Sequence, residues 1–391
     1  MDTPNIFIMQ QRNWAISYGM PLAEYLEKQF PGARFAAFCY KPPIYRAVLE
    51  SKIKYEYVWN GYTHDDEILK PSIRKKISKI SISDIEKDLG IESVWLNLIN
   101  VDRSLMYTFG KKWRFSYEQQ LEDDVLLDLV KYNYYFVKEI VFKKFNPNII
   151  ILPLVGSLFH NVLYWYAKKE GIKCWMPTTV KISGRIILTD RIDYKIFPDK
   201  VPKIKISDKS KKEAQSYIKN FTKKYIPPEN FINRKPDKHN HTNLKFQIKE
   251  LFTFFPRYVI SHIRRLRDPL RSKLYRTNDT IQLRYYIIGY FLSRYWAFKV
   301  EKLKYYINLA SIKQKFFYFP LQVVPEVSAN LWAPNNQNFF ETIRATAMNL
   351  PGEYTLVVKE HPAMIGWRNP KFYKKISKMP NIKIVNAKLT S

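Results

Sequence analysis

Leu356–Pro362, LVVKEHP, runs three apolar residues straight into a cation, an anion, an imidazole and a proline. The apolar run suits a strand covered on both faces, and the sudden polarity marks where that strand leaves its sheet. Upstream, KFFYFPL (315–321) reads as a strand. NFFETIRATAMNL (338–350) reads as a helix with its apolar face at Phe340, Ile343, Ala347 and Leu350, stopped by Pro351-Gly352. Downstream, Asn369 caps a helix that has Pro370 at its first position, and NIKIV (381–385) is a further strand. The order β-α-β-α-β predicts a parallel sheet, and such sheets bind ligands outside the carboxyl ends of their strands. LVVKEHP ends at that edge. Lys359 supplies a point charge there, and His361 a hydrogen-bond donor for a phosphate oxygen or a proton for a leaving phosphate. Glu360 can orient the imidazole or hold ribose hydroxyls, and Pro362 fixes the turn. The plainer reading is a loop histidine capping a carbonyl.

The N-terminal half repeats the pattern. NIFIM (5–9) reads as a buried strand and QQRN (10–13) as a turn. A helix follows near YGMPLAEYLEKQF (18–30), closed by Pro31-Gly32, and then the strand ARFAAFCY (33–40). KYEYVW (54–59) is another strand. Residues 115–144 carry a helical stripe through Leu126, Leu129, Val130, Val137 and Ile140, with Asn133 as its polar break. NIIIL (148–152) is a buried run, Ser157 caps the helix LFHNVLYWYAKKE (158–170), and Gly171 closes it. IKCW (172–175) is a strand, and KISGRIILTDRID (181–193) a polar loop and hairpin at the domain edge. From about 200 the composition shifts to a Lys-rich helix, KSKKEAQSYIKNFTKKY (209–225), and a polar linker. Residues 246–308 read as helical and basic, with seven Lys or Arg against Asp268 between Arg257 and Arg276. The predicted organisation is an α/β domain over 1–200, a basic helical insert and linker over 201–310, and a second α/β domain over 311–391.

The totals fit globular domains. The chain has 391 residues, 46% hydrophobic, so it can build real cores. Its net charge of +30 predicts attraction to a polyanion: nucleic acid, anionic lipid or the phosphates of a nucleotide-sugar. Cys39 and Cys174 form no CxxC spacing, which argues against a disulfide scaffold or a thiolate zinc site and for a reducing, cytoplasmic setting. The N-terminus lacks the pattern of a signal peptide. Pro153, Gly156, Ser157, His160 and Asn161 interrupt Ile149–Ala167, so that stretch reads as strand, turn and helix and not as a membrane span.

Several polar groups are open to two readings. Asp190 and Asp193 offer a catalytic base for an acceptor hydroxyl, or form a solvated hairpin with local ion pairs; Arg185 offers a phosphate partner. Gly156 and Ser157 present backbone N–H groups to an anion or sugar, or simply start a helix. His64, Asp65, Asp66 and Glu67 read as a metal cluster or, more simply, as a solvated turn. There is no GxSxG and no Walker loop.

YFPLQVVPEVS (318–328) followed by LPGEYTLVVKEHP (350–362) resembles the bacterial capsule and surface-polysaccharide biosynthesis proteins, which are similar to glycosyltransferases of the GT-B architecture, with two Rossmann-like domains. The resemblance covers about 315–391 and, in part, 146–191. The matching positions are Gln322, Val323, Glu326, Ser328, Lys359, His361 and Pro362; Pro325 stands where the family commonly has a first acid. The resemblance implies a GT-B-like fold with the basic insert between its domains. It implies a donor site at Lys359, Glu360, His361, Gln322 and Ser328, with Asp190, Asp193 and Glu326 as candidate catalytic carboxylates. The related His-Pro motif of sialyl- and Kdo-transferases grips the phosphate of a CMP-sugar, which implies a CMP- or CDP-linked donor, no resident cofactor and no metal. The implied acceptor is a glycan or a lipid-linked sugar, and the implied location is cytoplasmic, peripheral on an anionic inner-membrane face. In the family the second sheet continues after NIKIV, so the second domain is expected to be incomplete: three strands with an open edge, as in a C-terminally truncated chain. The rival readings are a scaffold of the polysaccharide machinery that has lost its chemistry, and a basic nucleic-acid-binding protein, although no nucleic-acid module is recognised.

Overall fold

The computed structural model describes residues 3–106, 121–153, 155–179, 186–193, 206–223, scattered positions between 252 and 274, 283–303, 306–324 and 326–387. Two sheets organise them. The first contains β1 (Asn5–Gln11), β2 (Arg34–Tyr40), β3 (Tyr55–Asn60), β4 (Ile149–Ile151), β5 (Cys174–Thr179) and β6 (Ile186–Thr189) in the order β3-β2-β1-β4-β5-β6. Its pairings are parallel except β5 with β6, which form the edge hairpin. NIFIM is apolar throughout because both faces of β1 are covered. Phe7 and Met9 join one core cluster, while Ile6 and Ile8 join another on the opposite face. Burying each such side chain stabilises the fold by about 1.5–3 kcal/mol.

Met20–Gln29 (α1) and Pro42–Leu49 (α2) contribute buried residues to clusters that do not include Phe7 and Met9. Asp123–Phe136 (α3) and Leu158–Lys169 (α4) pack with Phe7 and Met9 through Leu126, Leu129, Val130, Phe159 and Val162. QQRN is not a turn. Parallel pairing continues through Gln10↔Cys39 and Gln11↔Tyr40, and the chain enters a helical run at Arg12 that passes through a π-helix at Ala15–Gly19 before α1. The long helix of the middle segment is likewise α-helical only to Phe136 and continues as a π-helix over Val137–Phe145, ending at Asn146 with φ 53°. The start expected at 115 lies outside the described residues. Asn133, its polar break, is fully buried and donates to Leu129 O at 2.9 Å.

The second sheet has four strands, not three: β7 (Tyr306–Ile307), β8 (Lys315–Pro320), β9 (Tyr354–Lys359) and β10 (Ile382–Val385), all parallel, in the order β7-β10-β9-β8. β7 comes from a stretch that reads as helical in the sequence. It is a strand because Tyr306 and Ile307 register with Ile384 and Val385. The preceding helix, Leu283–Glu301 (α6), belongs to the same packing unit, since Val300 lies in one cluster with Leu356, Val358, Ile343 and Tyr373. Gly366 brings the two together. Its φ is +83°, and a Cβ there would meet the Ser293 carbonyl oxygen of α6 at 2.3 Å. Among the described residues β7 and β8 are the edge strands, and on β8 the side chains of Phe316, Phe317 and Tyr318 are exposed.

Asp208–Lys223 (α5), the Lys-rich helix, has no buried residue. No helix among the described residues is long and apolar enough to cross a membrane.

Candidate functional site

The loop after β9 is built around a buried charge. Glu360 is 2% exposed, and its carboxylate accepts hydrogen bonds from Arg368 Nε at 2.7 Å, Tyr373 Oη at 2.6 Å and the His361 amide at 2.7 Å. Burial, reinforced by this carboxylate, pushes the Tyr373 hydroxyl well above the usual phenol range. Glu360 thus braces the loop from beneath. It holds the backbone amide of His361, and its oxygens are committed inside the protein.

The same arginine reaches the neighbouring strand end. Arg368 Nη2 donates to Gln322 O at 3.2 Å, and its guanidinium lies over Phe372 and Phe339, at 4.9 and 5.3 Å from the ring centres. The Leu321 amide donates to Lys359 O at 2.8 Å, and Met364 packs with Val324 and Ala329. The two loops carrying the two sequence motifs are therefore fastened side by side at the carboxyl ends of β8 and β9.

His361 opens a 3-10 turn at Pro362–Met364, and its Nδ1 accepts from the Ala363 amide at 3.1 Å. It caps an amide, not a carbonyl. An accepting Nδ1 places the proton of the neutral ring on Nε2, which is then a donor. Lys359, the last residue of β9, is partly exposed, and burial of its stem lowers its ammonium pKa. Gln322 and Glu326 are exposed on the loop into Val327–Trp332 (α7). The side chain of Ser328 and all of Arg185 lie outside the described residues.

Helix α7 connects this edge to the first domain. Asn330 Nδ2 donates to Asn100 O at 3.1 Å and Asn100 Nδ2 to Asn330 O at 3.4 Å, while Trp332 Nε1 donates to Ile192 O at 3.0 Å. Ile192 stands between the two candidate aspartates. Asp190 and Asp193 line one cavity of about 530 Å³ with Lys168, Lys173, Arg191 and Tyr164. Asp193 accepts from both ends of Arg191 at 2.7 and 3.0 Å, and Asp190 lies 3.8 Å from Lys173 Nζ. The pocket also reaches Gly171–Cys174, at the start of β5, so it opens at the strand end opposite to the carboxyl edge.

At the carboxyl edge of the first sheet, Ser157 caps α4 and joins a polar chain. Its Oγ lies 2.7 Å from Tyr40 Oη and 2.6 Å from His160 Nδ1. The His160 ring stacks on Tyr40 and is 1% exposed; burial pushes its pKa down to about 3. Gly156 precedes this cap and is partly exposed. His64 is neither solvated nor in a metal cluster. It sits among Phe38, Tyr132, Phe136 and Phe159, and burial lowers its pKa to about 3. Its neighbour Asp66 accepts from Ser272 Oγ and from the amides of Lys273 and Leu274, which ties the basic segment to the first domain. Among the described residues no group of three or more His, Cys, Asp or Glu is placed to hold a metal ion.

Sequence reasoning missed Arg368, Tyr373, Asn330 and Tyr40. None carries a local signal: each matters through a partner distant in the chain, apart from Arg368 and Tyr373, whose shared partner Glu360 was assigned to ligand and not to fold. Compared with known proteins, the chain matches no family model, no curated protein and no solved structure.

Proposed function

We propose that this protein is a GT-B-like glycosyltransferase of capsule or surface-polysaccharide biosynthesis that takes a sugar from a nucleotide-linked donor of the CMP or CDP type. The observation that carries the reading is the Arg368 bridge. It joins Glu360 in one motif to Gln322 in the other, so the two stretches that resemble the family lie together where a parallel sheet binds ligands. The Nε2–H of His361 and the ammonium of Lys359 then stabilise the phosphate oxygen that receives the electron pair as the sugar–phosphate C–O bond breaks. The new bond forms from an acceptor oxygen to the same carbon, and in an inverting displacement a carboxylate takes the acceptor's proton. Glu326, exposed ahead of α7, is the carboxylate on the donor side for that step; Asp190 and Asp193 lie at the opposite strand end of the first sheet, beside Lys173 and Arg191. The exposed helix α5 supports peripheral contact with an anionic lipid face. It carries Lys209, Lys211, Lys212, Lys219 and Lys223 beside exposed Tyr217, Ile218 and Phe221.

Calorimetric titration with CMP, CDP and UDP tests the reading. Saturable binding of a cytidine nucleotide that falls at least tenfold in His361→Ala, with unchanged circular dichroism, is the expected result. No binding of any of the three, or equal affinity in the variant, overturns it.

A further inference from the structure

The first sheet has a binding crevice of its own. The chain lays down β1, β2 and β3 towards one edge, then returns to place β4 on the other side of β1. This reversal opens a gap above the carboxyl ends of β1 and β4, where loops leave in opposite directions. A crevice of about 670 Å³ lies there, lined by Gln11, Asn13, Trp14, Lys41, Pro43, Ile44 and Pro153. Gln11 ends β1, Lys41 follows β2, and Pro153 follows β4. That volume is typical of small-molecule sites.

The lining has a definite chemistry. Trp14, Pro43, Ile44 and Pro153 offer an apolar platform that includes an indole face. Gln11 and Asn13 bring two carboxamides, each both donor and acceptor, and the Gln11 Oε1 is buried without a hydrogen-bond partner among the described residues. A buried acceptor left unmatched is costly, and a side-chain rotation that turns the Gln11 carboxamide into the crevice lets a ligand hydroxyl supply what it lacks. Lys41 is the cation of the lining, and it stands in a strained conformation, φ 81° and ψ 136°, where glycine is normally found. The amides of Ile44 and Tyr45 bond to its carbonyl and hold it there. Strain retained at a ligand-facing position points to a side chain in use. The packing beneath is equally specific: a Cβ on Gly19 would come within 2.5 Å of Trp14 Cζ3, so glycine is what lets the indole sit where it does.

An indole platform with carboxamides suits a ring that has apolar C–H faces and a rim of hydroxyls, and a lysine adds a preference for an acidic substituent. We propose that this crevice binds a sugar ring bearing an acid group, with the ring on Trp14, its hydroxyls on Gln11 and Asn13, and its acid on Lys41. The inference rests on the first sheet alone. Under the transferase reading the crevice is the acceptor's seat, but it does not require the His361 loop.

The test is saturation-transfer NMR on the full chain with D-glucuronate and D-glucose as probes. Glucuronate should bind more tightly than glucose. Asn13→Ala, at an exposed position, should weaken both sugars at least threefold. Lys41→Gly should erase the preference for glucuronate while raising the melting temperature, because glycine relieves the backbone strain. Unchanged sugar binding in both variants, or no saturation transfer to either sugar, overturns the proposal. So does displacement of glucuronate by CMP, which makes the crevice a nucleotide site. Glucuronate binding that persists in His361→Ala supports it. Sugar binding without CMP binding leaves the crevice standing and removes the transferase reading; CMP binding without sugar binding does the reverse.

Discussion

Arg368→Ala probes the device that joins the two loops. The ion pair it breaks is buried: Glu360 and Arg368 side chains are 1% and 12% exposed, with N and O 2.7 Å apart. Removing one partner leaves a carboxylate that has lost its counter-charge but keeps Tyr373 Oη and the His361 amide. Breaking a buried pair in this way costs about 3–5 kcal/mol, and the contacts with Phe372 and Phe339 add about 0.5–1 kcal/mol each. Water entering at the partly exposed guanidinium position offsets some of this, so the expected loss is about 3 kcal/mol. Urea unfolding followed by circular dichroism measures it. Glu360→Gln combined with Arg368→Ala removes both charges and should cost at least about 1.5 kcal/mol less than the sum of the two single changes. A loss below about 1 kcal/mol in Arg368→Ala, or simple additivity in the double variant, refutes the account of Glu360 as a buried brace.

Acidification should unfold the chain through His64 and His160. Both are held neutral in the fold, pushed down to about 3 by burial, while in the unfolded chain they titrate near 6.5. Their contribution is complete above about pH 6.5 and falls as pH drops towards 3, by about 1.4 kcal/mol per pH unit for each residue. Urea midpoints between pH 7 and 5 should show this slope, and His64→Leu should halve it; an unchanged slope rejects the assignment. Gly366→Ala should lose roughly 2–4 kcal/mol, since it combines an unfavourable positive φ with overpacking against the Ser293 carbonyl. A melting temperature equal to the parent's contradicts that packing. Tyr318→Lys places a charge on the exposed edge strand and should slow self-association, read by light scattering at rising concentration.

Much of the fold was legible because its determinants are local. The caps Ser157 and Asn369 accept the N–H groups of residues close by, and Gly171 closes its helix with φ +71°. The runs NIFIM and LVV are strands because neighbouring residues share the same need for cover. β7 was illegible because two residues have no period of their own; they form a strand only where Ile384 and Val385 offer a ladder. QQRN was misread for a related reason: two glutamines look like turn residues until β2 pairs with them.

At the candidate site the division is sharper. That Lys359 and His361 stand at a strand end is written in the residues themselves, because a continuous apolar run that breaks into polar groups records where a strand covered on both faces stops. That Glu360 faces inward, that Arg368 bridges it to Gln322, and that Gln11, Trp14, Lys41 and Pro153 share one crevice follows from how distant elements pack. The difference is one of range. Helix and strand signals act over about four residues. The partner of a buried charge or an unmatched amide is chosen by packing between elements far apart in the chain, which no local pattern encodes.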